Sequence, residues 1–175
     1  MLKLNFVRRR SIALAGSAAA LALIATANAQ NAPAGGGGGG GAPPPSPAKV
    51  ALENRKAAYT LIGNNFRWFG GVVRGNVAYD NAEALKRAQR IVFLSALPGE
   101  NFPEGSSFPE PESKAKPEVW TNRADFDKKL SDFQTHAAAL LDVVGKEKGA
   151  TEPFKAAVAA VAQDCKGCHD DYRVK

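Results

Sequence analysis

Residues 151–172 read Thr151-Glu152-Pro153-Phe154-Lys155-Ala156-Ala157-Val158-Ala159-Ala160-Val161-Ala162-Gln163-Asp164-Cys165-Lys166-Gly167-Cys168-His169-Asp170-Asp171-Tyr172. At about 100° per residue, Val158, Val161, Cys165 and Tyr172 fall within about 40° of the direction of Phe154, which is the stripe of an amphipathic helix. Cys168 and His169 flank that stripe on either side. The helix opens near Thr151 and tolerates Pro153 in its first turn, where a missing N–H costs nothing.

Three further helices follow from the same periodicity, and no convincing strand does. The first spans about Pro47 to Val72, with Ser46 as N-cap and Gly70-Gly71 and Gly75 weakening its end. A second opens at Asp80, where Asp80-x-x-Glu83 resembles a capping box, and stops at Leu97-Pro98-Gly99. The third runs from about Asn122 to Val144 and ends at Gly145, with Phe126, Leu130, Phe133, Ala137, Leu140 and Val144 in line. Four amphipathic helices with mostly short links predict an all-α, antiparallel four-helix bundle. The exception is the connection from Pro98 to Val119, with five prolines, which Phe102 and Phe108 are expected to pin to the bundle.

The rest of the chain does not read as folded structure. Lys3, Arg8, Arg9 and Arg10 precede an apolar run from Ile12 to Thr26, and Ala27-Asn28-Ala29 is a cleavage pattern. Residues 1–29 therefore read as a signal peptide for the general secretory route. Residues 30–47 hold seven consecutive glycines and Pro43-Pro44-Pro45-Ser46-Pro47, the composition of a disordered linker. One domain, residues 48–175, remains. The formal charge of +6 is also misleading, because the signal carries four of the 23 basic residues and none of the 17 acidic ones. Without it the charge falls to about +2, which removes the case for nucleic-acid binding. The Ile12–Thr26 run is short of the roughly 20 residues that span a bilayer, so no membrane anchor is expected after export.

Cys165-Lys166-Gly167-Cys168-His169 carries the chemistry. Two thiols three apart on a helix can form thioethers with the two vinyl groups on one porphyrin edge, and the next imidazole can reach the iron. Both cysteines of the chain lie in this motif. The expected cofactor is one haem c, held covalently through Cys165 and Cys168, with His169 as the metal ligand. Rival readings are a redox dithiol, a structural disulfide, and a zinc site drawing also on His136. Met1 is the only methionine and leaves with the signal, so a methionine axial ligand is excluded. His136 lies about 80° off its stripe, a poor position for a second ligand. A five-coordinate iron is expected, with a distal wall from Arg55, Tyr59, Ile62 and Phe66 on the first helix. An arginine at such an edge suits a haem propionate.

The sequence resembles the cytochrome c′ family, the high-spin branch of the class II c-type cytochromes. The likeness rests on Arg55-Lys56-Ala57-Ala58-Tyr59, Tyr79-Asp80, Leu94-Ser95-Ala96-Leu97-Pro98 and Lys116-Pro117-Glu118-Val119-Trp120. It continues through Cys165 to Arg173 at the C-terminus. The resemblance implies thioethers at Cys165 and Cys168, ligation by His169, a propionate contact at Arg55 and a bulky distal Tyr59. It implies a basic residue, Arg173, close to the proximal histidine. It further implies a periplasmic homodimer that binds nitric oxide and carbon monoxide and is not an enzyme. Electron transfer with a redox partner protein is the alternative role, in its dedicated form with a six-coordinate low-spin haem. The second helix is expected to bury Leu85, Val92 and Ala96 on one side. Apolar residues beyond that, Leu61, Trp68 and Val72 on the first helix and Ala84, Ile91 and Leu94 on the second, point to a dimer through those two helices.

Overall fold

The structure is a computed structural model and describes residues 44–107 and 112–175. The signal, most of the linker and Phe108 lie outside the described residues. Helix α1 (Pro47–Val73) starts where Ser46 Oγ accepts from Lys49 N at 3.2 Å, with Pro47 in the first turn. It runs through Gly70-Gly71 rather than fraying there. A Cβ at Gly71 would lie 2.7 Å from Val77 Cγ2, so the glycine permits the returning chain to pack on the helix. The turn itself falls at Gly75, whose φ is 74°.

Helix α2 (Asn81–Ser95) is capped by Asp80, which accepts from Glu83 N at 2.7 Å. Its fully buried residues are Ala84, Ala88, Ile91 and Ser95. This corrects the sequence reading, which placed Leu85, Val92 and Ala96 on the inner face. Leu85 and Val92 are half-buried and Ala96 is exposed. Small residues at 84 and 88 let α2 lie close to its neighbours, and the bulk turns outward: Phe93 is 72% exposed.

The long connection is partly structured. It holds a 3-10 turn (Pro98–Asn101) and the single turn α3 (Glu118–Thr121). Phe102 pins it as expected, with its ring 4.8 Å from Phe126 and 6.1 Å from Trp120. Trp120 Nε1 donates to Phe102 O at 3.0 Å. Helix α4 (Arg123–Lys146) and helix α5 (Glu152–Tyr172) complete the bundle, the latter capped by Thr151. Helix α1 packs on α2, α2 on α4 and α4 on α5, while the α5–α1 seam is the lightest.

That seam matters because the apolar core divides. At one end Phe69, Ile91, Leu140, Val144, Phe154 and Val161 are fully buried, with Phe154 6.0 Å from Phe69 and edge-on to Tyr79 at 5.3 Å. At the other, Phe102, Val119, Phe126 and Tyr172 form a second cluster. Phe154→Ala should cost about 3–5 kcal/mol, read as a lower urea midpoint by far-UV circular dichroism. Because Phe154 is not among the cavity residues described below, the site's composition should be untouched.

Candidate functional site

Between α1 and α5, on the side of the second cluster, opens a cavity of about 450 Å³. That lies within the roughly 300–1,000 Å³ typical of cofactor and ligand sites. Cys165, Cys168 and His169 line one wall, and Arg55, Tyr59 and Ile62 the facing one. Arg173, Tyr172, Phe102, Phe126 and Phe133 contribute to the remainder. The thiols are half-buried and not joined to each other, and His169 is exposed at the rim. Spacing i, i+3, i+4 puts all three on one face of α5.

Electrostatics keep these groups neutral. Burial, then the neighbouring Cys165, pushes the Cys168 thiol up to about 11. Cys165 is raised by burial and then by Asp164. A redox dithiol requires the opposite, a thiolate stabilised by positive surroundings. Burial and the charge of Arg173 lower the His169 imidazole, leaving it neutral, the form that binds metal. Burial, then Cys168, raises the Tyr59 phenol, with Arg55 acting against the shift. Two unjoined neutral thiols and a neutral imidazole on one face of an apolar cavity suit a covalent porphyrin. Among the described residues no group of three or more His, Cys, Asp or Glu is placed to hold a metal by itself.

The structure brings Cys165, Cys168, His169, Arg55, Tyr59 and Arg173 to one cavity. It does not bring Phe66. Seven residues past Tyr59, Phe66 sits about 10 Å further along the helix axis. There it packs on the main core, its ring 6.2 Å from Phe69. His136 is also outside the lining, held by Asp164 Oδ2 at 2.8 Å from Nδ1.

Arg55 departs from a simple edge position. It is 3% exposed and its guanidinium is engaged by the connection between α2 and α3. Nη1 donates to Asn101 O at 3.1 Å and Ser106 Oγ at 2.8 Å, and Nη2 to Ser106 O and to Ser113 Oγ at 3.0 Å. The guanidinium carbon lies 4.7 Å from the Phe102 ring centroid. Among the described residues, the Nε–H is the one of its five N–H donors without an acceptor. Sequence reasoning assigned nothing to Ser106 or Ser113, and no periodicity marks them.

The family model for Cytochrome C' matches residues 50–173. The chain belongs to the cytochrome c′ family. The cytochrome c′ of Alcaligenes xylosoxydans xylosoxydans is 33% identical over 125 residues, covering 71% of this chain and 94% of that one. A solved cytochrome c prime from Shewanella frigidimarina superposes with a TM-score of 0.69 at 36% identity, covering 74% of this chain and 98% of that one. A nitric oxide complex of a mutant cytochrome c prime from Alcaligenes xylosoxidans gives a TM-score of 0.66 at 32% identity, covering 73% and 96%. As a cytochrome c′, the chain is a four-helix bundle that carries haem c covalently through its two cysteines.

Below the cavity, Tyr172 Oη donates to Asp125 Oδ2 at 2.5 Å. That bond, with Lys129 adding to it, holds the Asp125 carboxyl below its ordinary range. A carboxyl depressed in the folded state contributes stability that is complete above the unfolded pKa of about 3.9 and is lost as pH falls through the folded value. Tyr172→Phe should therefore be less stable than the parent near about pH 6, and the gap should narrow in acid below the ordinary carboxylate range. Urea titrations across that range check it.

Proposed function

We propose that residues 48–175 are a periplasmic haem module whose iron is held by His169 and binds small neutral gases on the Tyr59 side. Residues 1–29 are its export signal and 30–47 its linker. Bound haem would supply an iron centre able to take an exogenous ligand; the protein decides what reaches it. The observation that carries this reading is the composition of the cavity wall. Among its described lining residues His169 is the only histidine and none is methionine, while the facing α1 wall presents Tyr59 and Ile62. Arg55 offers its Nε–H to a haem carboxylate, and Arg173 sets the charge beside His169. The nitric oxide complex of the Alcaligenes xylosoxidans relative supports the ligand class. Catalysis is not part of this reading. Lys114 and Lys56, the latter paired with Glu112 at 3.2 Å, are exposed at the cavity mouth, where a redox partner would dock in a second role, electron exchange.

Tyr59 acts through its bulk. Displacing a packed side chain costs on the order of 1–3 kcal/mol, a penalty that weak ligands feel most in relative occupancy. Tyr59→Ala should speed carbon monoxide association to the ferrous protein and tighten its binding by about tenfold or more, with haem still attached. Flash photolysis measures both; unchanged kinetics would remove Tyr59 from the distal wall.

The dimer proposed through α1 and α2 keeps Leu61 and Leu94 from the sequence reading, drops Val72, Ala84 and Ile91, and adds Phe93. Ala84, Ile91 and Val72 are buried within the protomer, whereas Leu61 is 49% and Phe93 72% exposed. These two line one shallow concavity with Leu94, Asn65, Gln89 and Arg90. Phe93→Glu should convert a sedimenting dimer to monomer at micromolar concentration without loss of helix content. A parent protein that is already monomeric there overturns the dimer.

A further inference from the structure

Ser113 is 3% exposed, and its one hydroxyl is fully engaged. It accepts from Arg55 Nη2 at 3.0 Å and from Ala115 N at 3.3 Å, and donates to Ser106 O at 3.1 Å. A hydroxyl offers one donor and two lone pairs, so its capacity is complete. Ala115 in turn is the centre of an isolated antiparallel bridge to Arg173. Lys116 N donates to Tyr172 O at 3.0 Å, and Val174 N to Lys114 O at 2.8 Å. Lys116 Nζ adds bonds to Asp170 O at 3.0 Å and Asp171 O at 3.1 Å, two of the carbonyls left open at the end of α5.

A continuous path of short polar contacts thus runs from α1 to the residues just past His169. We propose that Ser113 is a positioning residue that couples Arg55, on the Tyr59 wall of the cavity, to Arg173, beside His169 on the other wall. The coupling passes from the guanidinium to the hydroxyl, to the Ala115 amide, and across the bridge to the C-terminal segment. Its logic is that of shared acceptors. Without Ser113 Oγ, a buried guanidinium N–H and the Ala115 N–H lose their partner together, and both must shift to find another. The segment 114–116 then loses the fixed end that holds its register against 172–174.

Hydrogen–deuterium exchange on the intact haem-loaded protein tests this. Ser113→Ala should raise exchange about tenfold both in 112–117 and in 170–175. Ser113→Thr, which keeps the hydroxyl, should restore the parent rates. Arg55→Lys, which keeps the charge and loses the fork, should speed 170–175 from the opposite end of the path. It decides the matter if Ser113→Ala does not accumulate. The iron–imidazole stretching band of the ferrous protein, read by resonance Raman, should move in Ser113→Ala and return in Ser113→Thr. Faster exchange confined to 112–117, an unmoved band, or failure of threonine to rescue overturns the coupling.

Discussion

The buried guanidinium of Arg55 is the constraint around which the cavity end of the molecule is arranged. A cation removed from water is tolerated only where hydrogen-bond acceptors replace its hydration. No regular helix can supply them laterally, because its carbonyls are already engaged in its own ladder. The acceptors come instead from the irregular connection between α2 and α3: a carbonyl at Asn101, both oxygens of Ser106 and the hydroxyl of Ser113. Meeting that demand fixes the path of the connection. It also lays Phe102 under the guanidinium and against Phe126. The segment is long because it must arrive at one arginine from several directions.

The bundle makes room for the cavity by closing firmly at one end only. Aromatic and branched side chains fill the Phe69–Phe154 end, and the α1–α5 seam is the weakest of the four. Helix α5 serves both ends. Its stripe from Phe154 to Val161 is core, and one further turn along the same face brings Cys165 to the cavity wall. The lining there is apolar enough to hold the thiols and the imidazole uncharged. A neutral imidazole is the form that binds metal.

The sequence made α5 and α4 legible because each has a single buried stripe, and the structure buries Phe126, Phe133, Ala137, Leu140 and Val144 as the periodicity indicates. It also marked seven of the cavity residues, since Cys165, Cys168 and His169 form a motif, Arg55, Tyr59 and Arg173 match family positions, and Ile62 shares the face of Arg55 and Tyr59. Phe66, expected on the same wall, lies outside the lining because a helical face continues past the cavity it lines, and angular register alone carries no information about where along the axis the cavity ends. Helix α2 was misread for a different reason. Its inner face is Ala84, Ala88, Ile91 and Ser95, so Ile91 is the one bulky side chain it buries and its largest apolar residue, Phe93, is left outside. Ser106 and Ser113 had no signal at all, because a serine that satisfies a buried arginine looks in sequence like any loop serine.

The fate of the two histidines shows how packing outside the cavity sets what happens within it. His169 follows Cys168 directly and so shares its wall, whereas His136 lies on α4 with its ring turned to Asp164. Asp164 is itself a cavity residue, adjacent to Cys165 and only 13% exposed. A half-buried carboxylate there needs a partner, and His136 Nδ1 supplies one at 2.8 Å. The same contact satisfies the acid and holds the second imidazole outside the lining. Releasing His136 toward the cavity would strand Asp164 in apolar surroundings, so one ion-dipole contact on the α4–α5 face helps to keep the site a one-histidine site.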